Sequence, residues 1–375
     1  MTYLEKLLEG VDLEWKTLKD ALVRTKGTNI TAGQMKELDK EGAPLKVFAG
    51  GKTIAFVNYD DIPSKDVNRL PSIIVKSRGI IEFEYYDKPF THKNEMWSYH
   101  SNNPELEIKF VYYYLKIQEP YFQNIAGRMQ MPQISIPDTD KYKIPIPPLE
   151  IQQKIVAILD KFTELTAELT AELTARKSQY EYYRNKLLNF NELNGGGKWL
   201  AISEICKIMR GRRLIKSQLE ENGKHAVFQN SMTPLGYYHE SNVQAGTTFI
   251  ISAGSAGEIG YSNHDFWAAD DVYYFVTPEN IKSRFLYYFL LTQQYKISNQ
   301  VRKASVPRLS KTVFEKMLIP IPTLDEQQRI VTILDKFYTL TTSISEGLPK
   351  EIELRKQQYE YYRDMLLSFP KKETA

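Results

Sequence analysis

IPIPPLEIQQKIVAILDKF, residues 144–162, recurs as IPIPTLDEQQRIVTILDKF at residues 319–337. Within each copy the apolar residues follow the alternating three- and four-residue spacing of one helix face. The second copy contains Thr323-Leu324-Asp325-Glu326, a capping box whose hydroxyl and carboxylate satisfy backbone donors at a helix start. The first copy has Pro148 and Ile151 at the two box positions and lacks this cap. The pattern predicts two related long helices.

The duplication extends beyond these helices. QYEYYRNKLL at 179–188 matches QYEYYRDMLL at 358–367, FVYYYL at 110–115 matches FLYYFL at 285–290, and MPQIS at 131–135 matches VPRLS at 306–310. An internal repeat decides the order of domains. The chain is therefore predicted to run as head, helix, head, helix. The boundaries are a first head at 1–143, a central helix at 144–190, a second head at 191–318, a C-terminal helix at 319–370 and a tail at 371–375.

Both heads show a mixed pattern of strands and helices. Beta-rich runs at 72–75, 247–251 and 272–276 alternate with turn clusters, and amphipathic helices are expected around 105–115 and 283–292. The predicted fold class is α+β, with two similar mixed α/β heads joined by two long helices.

The two helices are predicted to pack on each other as an antiparallel coiled coil about a pseudo-two-fold axis, because paired similar units most often share such an axis. Gly347-Leu348-Pro349 should break or kink the second helix. The apolar seam, expected also to serve in partner docking, consists of Ile155, Ile158, Phe162, Leu165 and Leu169 in the first copy and Ile330, Ile333, Phe337, Leu340 and Ile344 in the second.

This arrangement resembles the specificity (S) subunit of type I restriction-modification systems. The marks are the two IPIP-x-L-x-x-QQ segments, the duplicated QYEYYR ends and the tandem TAEL units at 166–169 and 170–173. The resemblance implies two target recognition domains that read double-stranded DNA, and helices that dock two methyltransferase subunits. Motor-nuclease subunits would be recruited through the assembled complex. It implies no catalysis and no cofactor in this chain, since S-adenosylmethionine, ATP and Mg would belong to the partner subunits.

Composition sets further limits. The 375 residues are 42% hydrophobic and 25% charged, which is ordinary for a globular protein. No apolar run is long enough to span a membrane, and the acidic first residues do not read as a secretion signal. The single cysteine, Cys206, excludes a disulfide framework. We expect a cytoplasmic protein without a membrane partner.

The net charge of +3 is concentrated in the second head, where 15 basic residues face 11 acidic ones. Its two acid-poor stretches carry guanidinium and ammonium groups that suit phosphates and guanine edges. A solvated charged loop is the alternative interpretation of the same stretches. The candidate DNA-binding residues of the second head are Lys207, Arg210, Arg212, Arg213, Lys216, Arg302, Lys303, Arg308 and Lys311.

The first head is electrically balanced, with 20 basic and 20 acidic residues. Its DNA contacts must therefore come from local clusters, and Arg128 is notable because it stands among glutamines without a nearby acid. The candidate DNA-binding residues of this head are Arg24, Lys26, Lys76, Arg78, Arg128, Gln130 and Gln133.

Two other classes of function compete with a non-catalytic DNA reader. Asp87, Glu107 and Lys109 faintly resemble a nuclease metal site, which would make the chain a stand-alone sequence-specific endonuclease. A two-headed protein scaffold would instead bind no DNA. No phosphate-binding loop of the G-x-x-x-x-G-K-[ST] type occurs.

Overall fold

The computed structural model describes residues 3–11, 13–127, 131–190 and 198–370. Contacts divide the chain into two compact units, a first unit of residues 1–168 and 352–375 and a second unit of residues 169–351. This division differs from the predicted boundaries, which separate heads from helices along the chain. Both helical segments are divided instead, because each begins in the unit of its own head and ends in the other unit.

The first unit contains nine strands and seven complete or partial α-helices among its described residues. In chain order they are α1 (Tyr3–Leu7), β1 (Glu14–Thr17), α2 (Leu18–Ala21), β2 (Val23–Lys26), α3 (Ala32–Leu38), β3 (Leu45–Phe48), β4 (Ile54–Val57), β5 (Ser72–Lys76), β6 (Glu82–Tyr86), β7 (Phe90–His92), β8 (Trp97–His100), α4 (Ile108–Ile125), α5 (Ile136–Asp140), β9 (Lys143–Ile146) and α6 (Leu149–Leu187), followed at the end of the chain by the last turns of a C-terminal helix.

Three sheets build the first head. An antiparallel sheet has the order β2-β8-β5-β6, and every residue of β5 is buried because α4 covers one face. A smaller sheet has the order β4-β3-β7, in which β7 runs parallel to β3. Strand β1 pairs with β9, which brings the two ends of the head together just before α6 begins.

Helices close the main core of the first unit. Phe110 and Phe122 of α4 are fully buried, together with Ile155 and Leu159 of α6. Phe369, near the end of the chain, lies edge-on to Phe110 with ring centroids 5.8 Å apart. The first head is therefore completed by residues more than two hundred positions away in the sequence.

The second unit repeats this plan. Its elements are β10 (Lys198–Ala201), α7 (Ile202–Ile205), β11 (Lys207–Arg210), β12 (His225–Phe228), β13 (Gly236–Tyr238), β14 (Thr247–Ile251), β15 (Ile259–Ser262), β16 (Phe266–Ala268), β17 (Val272–Val276), α8 (Ser283–Thr292), α9 (Gln294–Asn299), α10 (Lys311–Glu315), β18 (Leu318–Ile321) and α11 (Leu324–Thr342), and the helix that follows is α12 (Leu348–Leu366).

Strand order shows that the heads are copies of each other. The sheets of the second head are β11-β17-β14-β15, β13-β12-β16 with β16 parallel to β12, and β10-β18. Each strand therefore has a counterpart in the first head with the same neighbours and the same directions. The predicted α+β class with a duplicated head is confirmed, and the duplication is far closer in topology than in sequence.

The two helical segments differ in continuity. Helix α6 runs without a break for 39 residues, about 60 Å. The second segment is interrupted as predicted, but earlier, since α11 ends at Thr342 and α12 starts at Leu348. The Ser343 hydroxyl accepts hydrogen bonds from the amides of Ser345 and Glu346, which stabilises the turn. Ile344 lies in this turn and is 81% exposed, so its assignment to the seam is wrong.

In the part of the chain that the structure describes, every helix is too short or too polar to cross a membrane.

Candidate nucleic-acid interface

A short backbone bridge closes one end of the four-stranded sheet β2-β8-β5-β6, the main sheet of the first head. Residues 77–79 follow β5 and pair with residues 132–134, and we call this pairing the first bridge. The Ile134 amide donates to the Ser77 carbonyl at 3.0 Å, and the Gly79 amide donates to the Pro132 carbonyl at 2.9 Å. Arg78 lies opposite Gln133. Gly79 has a φ of 76°, a conformation that favours glycine.

The second head contains the same bridge 175 residues later. Residues 252–254 follow β14 and pair with residues 307–309, the second bridge. The Leu309 amide donates to the Ser252 carbonyl at 2.8 Å, and the Gly254 amide donates to the Pro307 carbonyl at 3.1 Å. Here Ala253 lies opposite Arg308. Arg302 adds a further backbone pairing, because it exchanges two hydrogen bonds with Arg308, at 2.8 and 3.2 Å.

The two bridges share the same backbone pairing but have different side chains at the equivalent position, Gln133 and Arg308. Gln133 and Arg308 are both exposed, and neither side chain has a hydrogen bond or an ion pair with another residue of the described chain. Two residues earlier, both heads expose an apolar side chain, Met131 at 64% and Val306 at 47%. Such positions can face a ligand in solvent without first breaking an internal contact.

Charge around the first bridge is partly compensated. Arg78 is exposed, but it lies near Glu95, whose carboxylate is 2.8 Å from the Lys93 ammonium. Burial would raise the pKa of Glu95, yet the hydrogen bond from Lys93 and the charges of Lys93 and Arg78 hold it below its ordinary value. One acid, Glu95, therefore compensates only part of the positive charge that Arg78 and Lys93 place near the first bridge.

In the second head β11 ends at Arg210, and the basic loop that follows it contains Arg212 and Arg213. This loop adjoins the second bridge. The Arg210 Nε donates to the Asp270 carbonyl at 2.7 Å, and the Arg212 amide donates to the Ala268 carbonyl at 2.9 Å. The next carbonyl, that of Asp271, accepts from the Ser252 amide at 2.7 Å. The turn between β16 and β17 therefore links the arginines to the second bridge, at one end of the main sheet. Gly211 allows this approach, since a Cβ there would lie 2.1 Å from the Ala269 carbonyl oxygen.

Lys76 does not belong to a DNA-binding surface, and its prediction as a DNA contact is wrong. It is 8% exposed, and its ammonium lies 2.6 Å from Glu82 and 2.8 Å from Glu84. Burial lowers the pKa of Lys76, but the hydrogen bonds to the two carboxylates outweigh this and raise the pKa above its ordinary value. Cross-strand pairing of β5 with β6 places the acids beside the lysine.

Arg24 is also engaged within the head, because its Nε lies 3.4 Å from Asp140. The remaining candidate DNA-binding residues differ in their exposure to solvent. Lys311 is half-buried at the start of α10, and Arg128 and Gln130 lie outside the described residues. Exposed side chains are those of Lys26, Arg78, Gln133, Lys207, Arg210, Arg212, Arg213, Lys216, Arg302, Lys303 and Arg308.

The repeated motif has a role that sequence reasoning missed, which is to anchor each helix on its head. Gln152 is fully buried and donates to the carbonyls of Glu105 and Pro147, while its oxygen accepts from the Glu107 amide at 2.9 Å. Gln327 makes the same three bonds in the second unit. The identity of the two QQ pairs was the available signal for this anchor.

A second anchor lies about two turns further along each helix. Asp160 accepts from the Lys109 ammonium at 2.7 Å and from the Tyr113 hydroxyl at 2.5 Å. In the second unit Asp335 accepts from Arg284 at 2.7 Å and from Tyr288 at 2.5 Å. The aspartate of each LDKF sequence thus binds the main helix of its own head.

These anchors change the interpretation of the seam. Ile155 and Ile330 are fully buried in the cores of their own units, so they pack on the heads and are unavailable to a partner. Further along, the helices contact each other through stacked rings, Phe162 on Tyr362 and Phe337 on Tyr183. The remaining predicted seam residues, Ile158, Leu165, Leu169, Ile333 and Leu340, are half-buried.

Two of the three residues of the possible nuclease site, Glu107 and Lys109, are engaged in this framework. The Glu107 carboxylate caps α4 by accepting from the Lys109 amide, and Lys109 is paired with Asp160. Within the described ranges no group of three or more His, Cys, Asp or Glu side chains is placed to hold a metal ion.

Comparison with known proteins agrees with the duplicated architecture. The family described as "Type I restriction modification DNA specificity domain" matches residues 28–176 and again residues 198–354. A type I restriction enzyme specificity subunit of Escherichia coli is 35% identical over 419 residues, covering 100% of this chain and 99% of that protein. A putative type I restriction enzyme specificity subunit of Haemophilus influenzae is 30% identical over 397 residues, covering 98% of each.

A solved structure shows the same fold. The type I restriction-modification S subunit of M. genitalium superposes with a TM-score of 0.69 at 22% identity, covering 99% of this chain and 100% of that one. Because both repeats match the family model and the similarity to curated relatives spans the full length, this chain belongs to the specificity subunits of type I restriction-modification systems.

Proposed function

We propose that each head reads one half of a bipartite double-stranded DNA site, and that the helices dock two methyltransferase subunits. Motor-nuclease subunits would join through the assembled complex. The chain itself would carry out no catalysis. S-adenosylmethionine, ATP and Mg would be bound by the partner subunits.

One observation carries this proposal. The two heads hold the same backbone bridge at the same end of the same sheet, but they present a neutral amide at Gln133 and a guanidinium at Arg308. Two readers of different half-sites need a shared way of meeting DNA and different side chains at the point of contact. Arg210 and Arg212 add positive charge beside the second bridge, which suits the phosphate backbone.

Exposed aromatic residues support the docking of partners on the helices. Tyr182 is 59% exposed and Tyr361 is 64% exposed, and they occupy the same position in the two QYEYYR sequences. Tyrosine is enriched in protein interfaces. These residues, rather than the buried seam residues, are the surface that we assign to methyltransferase subunits.

The test is an exchange of heads. Residues 198–318 are replaced by the second head of another specificity subunit, and the hybrid is expressed with its methyltransferase. Methylated positions in host DNA are then mapped by sequencing. One half of the bipartite site should change while the other half and its methylation persist.

A change in both halves would contradict the assignment of one half-site to each head. Binding of the purified complex to DNA at increasing salt gives an independent check, because phosphate contacts make affinity fall with salt concentration. A protein scaffold would show no such DNA binding.

A further inference from the structure

The two bridges place one residue each at equivalent positions, and these residues differ in chemistry. We infer that Gln133 and Arg308 each read one base, with Gln133 selecting adenine and Arg308 selecting guanine in the major groove. The inference rests on the proposed function, since it assumes that both heads bind DNA, and it names the residues and bases through which they do so.

The backbone at both positions is held from two sides. In each head a proline precedes the residue, and the amide of the residue after it bonds to the end of a buried strand, at 3.0 Å from Ile134 and 2.8 Å from Leu309. Proline restricts the backbone, and the bridge fixes it further. The Cα–Cβ direction of such a residue is therefore fixed relative to the sheet, unlike that of a residue on a free loop.

Both side chains are available for this contact. They are exposed, and among the described residues neither has a hydrogen-bonding or ionic partner. The nitrogen of a glutamine amide donates to N7 of adenine while its oxygen accepts from the N6 amino group, so the two atoms together match the adenine edge. A guanidinium matches the two acceptors, O6 and N7, of guanine.

The neutral residue in the first head argues against a phosphate contact. A position used in both heads to neutralise phosphate would need a positive charge in both, whereas the first head has a glutamine there. Positive charge is supplied nearby instead, by Arg78 opposite Gln133 and by Arg302 and Lys303 before Arg308. The bridge position is therefore suited to discriminate between bases, and its neighbours are suited to bind the backbone.

The experiment exchanges the two residues. Complexes of the chain with its methyltransferase subunits are prepared with Gln133→Arg or with Arg308→Gln. Binding is measured to duplexes in which each position of the mapped site is varied through all four bases. Arg308→Gln should change the preference at one position of the second half-site from guanine to adenine, by about 10- to 100-fold. Gln133→Arg should make the reverse change at one position of the first half-site.

Lys303→Gln is the matched control, because it removes the same charge from a neighbour outside the bridge. It should weaken binding to all duplexes alike and change no base preference. If Arg308→Gln behaves in this way too, the inference is overturned while DNA recognition by the heads stands. If the wild-type complex distinguishes no bipartite site, the proposed function itself fails.

If an exchanged variant binds no DNA at all, Arg308→Ala and Gln133→Ala provide the test instead. Their complexes should bind the four duplexes of the critical position with nearly equal affinity, since the discriminating contact is gone. Retained discrimination at every position would overturn the inference. The melting temperature of each variant verifies that the exposed substitution leaves the fold intact.

Discussion

Gln327→Ala removes the anchor that fastens α11 to the second head. The side chain is fully buried, and its amide makes three hydrogen bonds, to the Lys282 amide at 2.9 Å and to the Asn280 and Pro322 carbonyls at 3.0 Å each. Each bond contributes about 1 kcal/mol, and the backbone groups left behind lose their partner inside the protein. We expect the free energy of unfolding of the second unit to fall by about 3 kcal/mol.

The melting temperature should therefore drop by roughly 6–12 °C, given the size of this unit. Gln328→Ala is the matched control, because Gln328 is the adjacent residue of the same type and is exposed. It should change stability by less than about 0.5 kcal/mol. In hydrogen exchange, the Lys282 amide should lose protection in Gln327→Ala and keep it in Gln328→Ala. Equal stability of the two variants would refute the anchoring role of Gln327.

Two further changes test the first head. Lys76→Met should leave Glu82 without its cation and Glu84 with only Lys46, 3.5 Å away. We expect the first unit to lose about 2 kcal/mol of stability, a value reduced because both acids are about one-third exposed. Urea unfolding measures this loss, and weaker DNA binding at unchanged stability would restore Lys76 to the DNA surface. His92 is fully buried beside the Lys93 carbonyl and the Ser98 hydroxyl, and burial lowers its pKa to about 4. Because this pKa is below the ordinary value of 6.5, the folded state binds fewer protons than the unfolded state between these two pH values. The free energy of unfolding is therefore highest above pH 6.5 and falls as the pH is lowered toward 4, by about 2 kcal/mol at pH 5. Urea unfolding at pH 7.5 and 5 should show this loss, and an equal loss in His92→Gln would assign it to other groups.

The sequence alone determined the duplicated plan and most local structure. The spacing of apolar residues in the two IPIP segments predicted α6 and α11, and the capping box predicted the start of α11, where Thr323 accepts from the Glu326 amide. The runs at 247–251 and 272–276 are the strands β14 and β17. These features depend on residues within a few positions of each other, so a local pattern contains the information.

Tertiary structure decided which side chains remain available. Lys76 and Arg308 are equally basic in sequence, but the pairing of β5 with β6 buries the first beside two acids, and the second bridge leaves the other in solvent. Ile155 fits a coiled-coil seam, yet it packs in the core of the first unit, which also contains Phe369 from the end of the chain. Such outcomes depend on contacts between residues far apart in the sequence, and apolar spacing cannot tell a helix face that covers a head from one that covers another helix.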